Sequence, residues 1–172
     1  MNLNMLYFSE KGGVTVEEKV VKAIQDEYPE DFAWCYGCGR LNDMGHHFRT
    51  GWQGEHTVTI YLPEPEHLAL PGFVYGGLIA SLIDCHGTGS AALALHRKNG
   101  HEPGEGAEPP RFVTASLNVN FLKPTPHGVP LKAIGTVHEI IRKSLKWRQK
   151  FLQMIAFVHV EKLLLLSCRI LF

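Results

Sequence analysis

The order of apolar and polar residues predicts the secondary structure of most of the chain. Residues 57–62, 112–122 and 131–140 alternate apolar with polar side chains, which is typical of half-buried strands. Residues 76–96 carry apolar side chains at helical spacing and predict one long helix. Residues 15–28 predict a short amphipathic helix that starts with a capping box. Because the strands do not alternate regularly with helices, the sequence predicts an α+β fold with an antiparallel sheet.

The length, the charge balance and the first residues of the chain indicate which classes of protein to expect. The 172 residues suffice for one domain, and we expect an N-terminal extension with a short helix over 1–34 and a single domain over 35–172. Seventeen basic residues balance seventeen acidic ones, which does not favour binding to nucleic acid or to a membrane surface. The first residues lack the pattern of a signal peptide, so we expect a cytoplasmic protein with reduced thiols.

The stretch PGFVYGGLIASLIDCHGTGS places a carboxylate in the middle of the apolar helix. Burying an ionised carboxylate costs several kcal/mol unless it is paired or hydrogen-bonded. Asp84 is therefore either a catalytic acid or base, or a structural acid that is satisfied locally or faces solvent.

A glycine pair, Gly76 and Gly77, stands where this helix begins. The first N–H groups of a helix have no partner within it, and the helix dipole adds positive potential there, so the pair could bind a developing oxyanion. Alternatively, the glycines only permit a tight turn. Gly77 and Asp84 lie about 10.5 Å apart along the helix axis, too far to act on one carbonyl. A common site would therefore require two antiparallel copies of the helix in a dimer.

The cysteines offer a weaker signal. Cys35 and Cys38 have the spacing of metal ligands, but no second pair completes a tetrahedral set, so we interpret the segment as a structural loop without a metal. Cys85 and His86 are adjacent on the helix and point in different directions, which favours packing roles over a Cys–His nucleophile.

Three segments together resemble the hot-dog-fold thioesterases of the phenylacetate-degradation type. They are the CYGCG loop, PEHLALPGFVYGG with the helix after it, and RFVTASLNVNFLKPTP, within residues 34–140. The family writes its helix motif HGG, and this chain has YGG, as in a bacterial branch. The resemblance implies an antiparallel sheet wrapped around one long central helix, assembly as a homodimer or a dimer of dimers, and hydrolysis of acyl-coenzyme A. It implies no cofactor beyond the coenzyme A of the substrate.

The resemblance also implies roles for individual residues. Asp84 corresponds to the general base or nucleophile, the amides of Gly76 and Gly77 to the groups that polarise the thioester carbonyl, and Thr114 to the hydroxyl that orients the water or the acid. Substrate contacts are expected from four further residues, Tyr75, His67, Asn120 and Lys123. Two other functions remain open, a hot-dog dehydratase or hydratase and a non-catalytic acyl-CoA-binding or structural protein. The acyl group is not specified.

The resemblance ends after Ile140. Residues 141–172 lack the two alternating strands and polar turn that are expected there. If the third base of each codon is read with the first two of the next, starting inside the codon of Lys146, allowed codons can encode VETEVSANDRFCARGEVIAVVMP, which has these features. The hypothesis is that a frameshift near Ile141 replaced the last hairpin. The alternative is a divergent tail.

Overall fold

The computed structural model describes residues 6–8, 14–16, 22–137, 145–147 and 158–167. One long helix, α1 (Gly76–Lys98), is its central element. Within the described residues the strands are, in chain order, β1 (Leu6–Phe8), β2 (Val14–Val16), β3 (Thr50–Gln53), β4 (His56–Tyr61), β5 (Leu68–Leu70), β6 (Phe73–Val74), β7 (Phe112–Phe121), β8 (Leu131–Gly135), β9 (Leu145–Trp147) and β10 (Val158–Ser167). Two short 3-10 helices span Ile24–Glu27 and Glu30–Phe32.

Two antiparallel sheets of three strands surround the helix. One has the order β3-β4-β8 and the other the order β7-β10-β9, while β1-β2 and β5-β6 form two small hairpins. Strands of both larger sheets pack on α1. The predicted α+β architecture, an antiparallel sheet around one central helix, is therefore confirmed.

Helix α1 is buried along most of its length. Leu82 and Ile83 are fully inaccessible, and the second half of the helix presents small side chains such as Ala91 and Ala92 that allow close packing. Basic residues in its last turn complement the negative end of the helix dipole. Among the described residues α1 is the one helix long and apolar enough to cross a membrane, but it is mostly buried inside the fold, as expected of a core helix.

A network of buried, hydrogen-bonded polar groups begins at the 3-10 helix Ile24–Glu27. The Gln25 side chain accepts a hydrogen bond from the Thr50 amide at 2.8 Å and donates one to the Thr50 hydroxyl at 3.1 Å. The Thr50 and Thr59 hydroxyls lie 2.8 Å apart, on neighbouring strands β3 and β4. All three side chains are almost fully buried, so these bonds satisfy groups that water cannot reach.

The same network of hydrogen bonds continues onto helix α1. His86 Nδ1 lies 2.9 Å from the Thr59 hydroxyl, and the Ser90 hydroxyl lies 2.6 Å from that of Thr57. Burial lowers the pKa of His86 to about 3, so its ring is neutral between two hydroxyl partners. The predicted packing role of His86 is confirmed.

Strand β7 contains a bulge that the sequence pattern does not show. Ala115 has no partner on β10, whereas the residues on either side of it do. Before the bulge Phe112 is buried, and after it Leu117 and Val119 pack against the core. The regular alternation predicted over 112–122 is therefore interrupted: Val113 is 50% exposed, because the extra residue reverses which positions face the core.

The N-terminal prediction also differs from the structure. Instead of a helix that begins at Thr15, the β-branched segment Val14–Val16 pairs with β1. In the described part of 15–28 the helical residues are Ile24–Glu27, which form a 3-10 turn. Residues 17–21 lie outside the described residues. The boundary between the extension and the domain stays a prediction.

The strand predicted over 131–140 is observed as β8, and residues 138–140 lie outside the described part. Of residues 141–172 the structure describes β9 and β10, and β10 pairs with β7 through two register shifts. The frameshift hypothesis remains a prediction.

We expect Gly89→Ala to destabilise the fold although alanine favours helix formation. A Cβ at Gly89 would lie 2.5 Å from the Gln25 amide nitrogen and 2.8 Å from the Thr50 hydroxyl, which are bonded to each other. The gain in helix propensity of about 1 kcal/mol is outweighed by overpacking and by disrupted buried hydrogen bonds, which leaves a net loss of about 2 kcal/mol. Urea unfolding of the wild type and the variant measures this loss in the free energy of unfolding.

Gly76→Ala is the matched control, because its Cβ would meet only the Phe121 ring at 3.6 Å. It should change the free energy of unfolding by less than about 0.5 kcal/mol. Equal stability of the two variants would contradict the packing argument.

Candidate active site

Asp84 is half-buried on the central helix. Burial raises the pKa of its carboxyl, the nearby Thr114 hydroxyl opposes this shift, and the charge of Cys35 raises the pKa further. The acid is thus neither fully exposed nor enclosed in apolar contacts. It can bind a water molecule and exchange a proton with it, as a general base requires.

Thr114 reaches the acid from strand β7. Its hydroxyl is close enough to affect Asp84, yet it forms no hydrogen bond of standard geometry with the described residues, and its oxygen is buried. The bulge at Ala115 allows Thr114 to face the helix together with Leu117 and Val119. A buried hydroxyl of this kind is suited to hold a water or a substrate oxygen beside the carboxylate.

Gly76 and Gly77 form the first turn of α1, after Tyr75 as its N-cap residue. Within the described residues neither glycine N–H has a backbone acceptor, whereas the next amide, that of Leu78, bonds the Tyr75 carbonyl at 3.1 Å. A Cβ on Gly77 would lie 2.4 Å from the Tyr75 ring, so this position admits only glycine while the ring stays in place. Two unpaired donors therefore lie at the positive end of the helix.

The acid and the glycine donors are far apart within one chain. The uninterrupted helix separates Asp84 from Gly77 by about 10.5 Å along its axis. Strand β7 runs in the opposite direction beside it: the Phe121 ring is 3.6 Å from the Cβ position of Gly76, while Thr114 lies next to Asp84. One end of β7 therefore lies beside the predicted acid, and the other end lies beside the predicted oxyanion donors.

The four predicted substrate contacts occupy different surroundings. The Tyr75 ring is 56% exposed beside the glycines. The His67 carbonyl accepts the Tyr75 amide, and its ring accepts the Glu64 amide and lies 5.0 Å from His46. His67 therefore holds the backbone of the segment that leads into α1.

Asn120 and Lys123 lie at the other end of β7. Asn120 is half-buried and donates to the Asn118 side chain at 3.3 Å, and Lys123 is exposed on the turn after the strand. Both are neighbours of Phe121 in the chain. The structure thus groups Asp84 with Thr114, and the glycines with Tyr75 and Phe121.

Sequence reasoning missed a cluster of three sulfur atoms next to the acid. The Sγ atoms of Cys35, Cys38 and Cys85 all lie within 4.8 Å of one another. Hydrogen bonds from the other two thiols hold the pKa of Cys35 far below its usual range, and the same bonds to Cys35 raise the pKa of Cys38 and Cys85. The sequence does contain the third cysteine, Cys85, directly after Asp84. It lies too far from Cys35 and Cys38 in the sequence to be recognised as part of the same cluster.

Comparison with known proteins identifies the family. The sequence profile of the Thioesterase superfamily matches residues 71–153. A Thioesterase superfamily protein from Shewanella loihica is 36% identical, and the match covers 81% of this chain and 97% of that protein with a TM-score of 0.59. No protein of curated function matches the chain.

More distant structures share the fold alone. A thioesterase from Haemophilus influenzae is 18% identical over 76% of this chain and 83% of its own, with a TM-score of 0.55. A Bacillus halodurans protein solved with CoA is 17% identical over 72% of this chain and 76% of its own, with a TM-score of 0.51. These likenesses agree with a hot-dog arrangement of one helix and an antiparallel sheet. On the strength of the Shewanella relative, this chain belongs to the Thioesterase superfamily.

Proposed function

We propose that the protein is an acyl-CoA thioesterase, which hydrolyses the thioester to a carboxylic acid and free coenzyme A. The observation that carries the proposal is that the half-buried Asp84 carboxyl lies near the Thr114 hydroxyl, whose oxygen is buried and forms no hydrogen bond of standard geometry with the described residues. Membership of the Thioesterase superfamily supports hydrolysis. The YGG motif further supports the phenylacetate-degradation type. The proposal includes a cytoplasmic location and no cofactor other than the coenzyme A of the substrate.

The reaction requires a base and an oxyanion site. Asp84 removes a proton from water while the water oxygen attacks the thioester carbon, and the carbonyl oxygen gains negative charge at the amides of Gly76 and Gly77. When the intermediate collapses, the carbon–sulfur bond breaks and the proton on Asp84 passes to the leaving thiolate. Direct attack by Asp84, which forms an acyl anhydride that water then hydrolyses, uses the same groups. A single turnover in ¹⁸O-labelled water separates the two routes. General-base attack places the label in the product acid, whereas direct attack, with water then cleaving the anhydride at the Asp84 carbonyl carbon, places it in the Asp84 carboxylate.

A homodimer would bring the two halves together. Within the described residues one edge of β7 is unpaired, and Val113 and Phe121 on this strand are half-exposed apolar residues. If two β7 strands paired antiparallel about a two-fold axis centred near Leu117, the Thr114 end of one would meet the Phe121 end of the other. The acid of one protomer would then face the glycines of its partner. A dimer of dimers would preserve this arrangement.

In the proposed dimer, the remaining predicted residues would have the following roles. Asn120 and Tyr75 would line the acyl-binding side of the composite site, with His67 behind Tyr75. Lys123, on the exposed turn that follows β7, would lie where a phosphate of coenzyme A can reach it. Binding partners are therefore the acyl-CoA and a second copy of the chain, without nucleic acid or membrane.

Asp84→Asn should abolish most hydrolysis while leaving the fold intact. The amide keeps the shape of the side chain but accepts no proton, so kcat should fall at least ~100-fold. Thiol release from a panel of acyl-CoAs measures this effect. Asp43→Asn is the matched control, since Asp43 is exposed in a loop outside the site. Full activity of Asp84→Asn would reject the assigned role.

Thr114→Val should lower kcat about tenfold with little change in KM. The substitution replaces the buried hydroxyl with a methyl group, and losing one hydrogen bond to the reacting water costs about 1–1.5 kcal/mol. Thr114→Ser retains the hydroxyl and should retain most of the activity. If serine and valine are equally impaired, the defect lies in packing, and the orienting role is wrong.

Subunit complementation tests the composite site. In a mixed dimer of Asp84→Asn and Gly77→Pro protomers, the intact acid of the second faces the intact glycines of the first, so about half of the wild-type rate should return. Proline is tolerated in the first turn and removes one of the two donors, and the exposed Tyr75 ring must turn away to make room for its side chain. Asp84→Asn paired with an Asp84→Asn/Gly77→Pro double variant is the control and should stay inactive. Verified mixed dimers without recovery would contradict a site shared between protomers.

A further inference from the structure

The sulfur cluster has the dimensions of a metal site. Cys35 and Cys85 Sγ lie 3.9 Å apart, and the Cys38 sulfur is within 4.8 Å of both. Thiolates bound tetrahedrally to one zinc ion at ~2.3 Å are themselves about 3.8 Å apart. One pair therefore already has the required separation, and Cys38 needs to move by no more than about 1 Å to complete the set.

The backbone brings these three sulfurs together. Gly37 lies directly over the helix, where a Cβ would be 2.3 Å from Cys85 Sγ. Gly39 closes the loop by bonding the Cys35 carbonyl at 2.7 Å, and a Cβ there would overlap the backbone of Ala33 and Cys35. The N–H groups of Gly37 and Cys38 donate to the Cys35 sulfur. Amides that point at a ligating sulfur are a typical outer shell of a thiolate metal site.

We propose that Cys35, Cys38 and Cys85 bind one Zn²⁺ ion, with solvent as the fourth ligand. Three thiolates from a CxxC loop and a helix match the soft-ligand preference of zinc and similar ions. Cys35 is half-buried, so the cluster is accessible for metal entry and for one bound water. Arg111, which stacks on Tyr28 at 4.0 Å, lies close enough to Cys38 to offset the remaining negative charge. The proposal does not rest on the proposed hydrolysis, although the sulfur cluster lies beside Asp84.

Metal binding by the wild-type full chain is the primary test. Protein purified from zinc-supplemented medium should contain one zinc per chain by elemental analysis. After removal of the zinc under reducing conditions, titration with Co²⁺ should give a thiolate-to-cobalt charge-transfer band and the visible bands of tetrahedral cobalt, both saturating at one equivalent. Added Zn²⁺ should bleach them and raise the midpoint of thermal unfolding. No stoichiometric metal and no cobalt spectrum in folded protein would overturn the proposal.

Single substitutions locate the site. Cys35→Ser, Cys38→Ser and Cys85→Ser should each weaken Co²⁺ binding more than ~100-fold, a loss larger than the ~10–100-fold caused by outer-shell changes. Cys168→Ser is the matched control, and it should bind like the wild type because Cys168 is not among the three ligands. Retained affinity in Cys85→Ser, or loss in Cys168→Ser, would contradict this ligand set. Circular dichroism of each variant, and the wild-type titration itself, separate lost binding from lost folding.

Discussion

The position of helix α1 depends on the hydrogen bonds between its buried face and strand β4. Apolar side chains alone would not determine its rotation, because the helix is buried on most sides. His86 and Ser90 determine how α1 is rotated about its axis, since their side chains form hydrogen bonds with Thr59 and Thr57. Successive helical residues turn by about 100°, so a shift of one residue would leave these groups buried without partners, at about 1–3 kcal/mol each.

The same rotation determines where the chemistry lies. With His86 directed at the sheet β3-β4-β8, Asp84 is about 200° away around the helix and Cys85 about 100° away. The three consecutive residues therefore contact three different partners: Asp84 meets Thr114 on β7, Cys85 meets the loop of Cys35 and Cys38, and His86 meets β4. One structural histidine thus positions both the acid and the sulfur beside it.

The sequence predicts the elements with strong periodicity and misses those set by tertiary contacts. Helix α1, β4 and β7 follow directly from their patterns, and the fold class follows from their order. The bulge at Ala115 is invisible because it is defined by pairing with β10. The predicted neighbourhood of Asp84 and Thr114 came from the family resemblance. The contact of Cys85 with the loop of Cys35 and Cys38 was missed because Cys35 lies 50 residues earlier in the chain. The predicted helix start at Thr15 is wrong because strand pairing outweighed a capping box there.

The contacts that hold α1 have a consequence for how the protein folds. The bonded pairs Gln25–Thr50, Thr59–His86, Thr57–Ser90 and Cys35–Cys85 are separated by 25, 27, 33 and 50 residues. The helix can form early from local interactions, but its polar groups find partners only after strands from distant parts of the chain have arrived. Until then an apolar helix of 23 residues is exposed to solvent and to other chains. Folding yield should therefore depend on the closure of these long loops, and crowded or hot conditions should penalise the folding chain more than the folded protein.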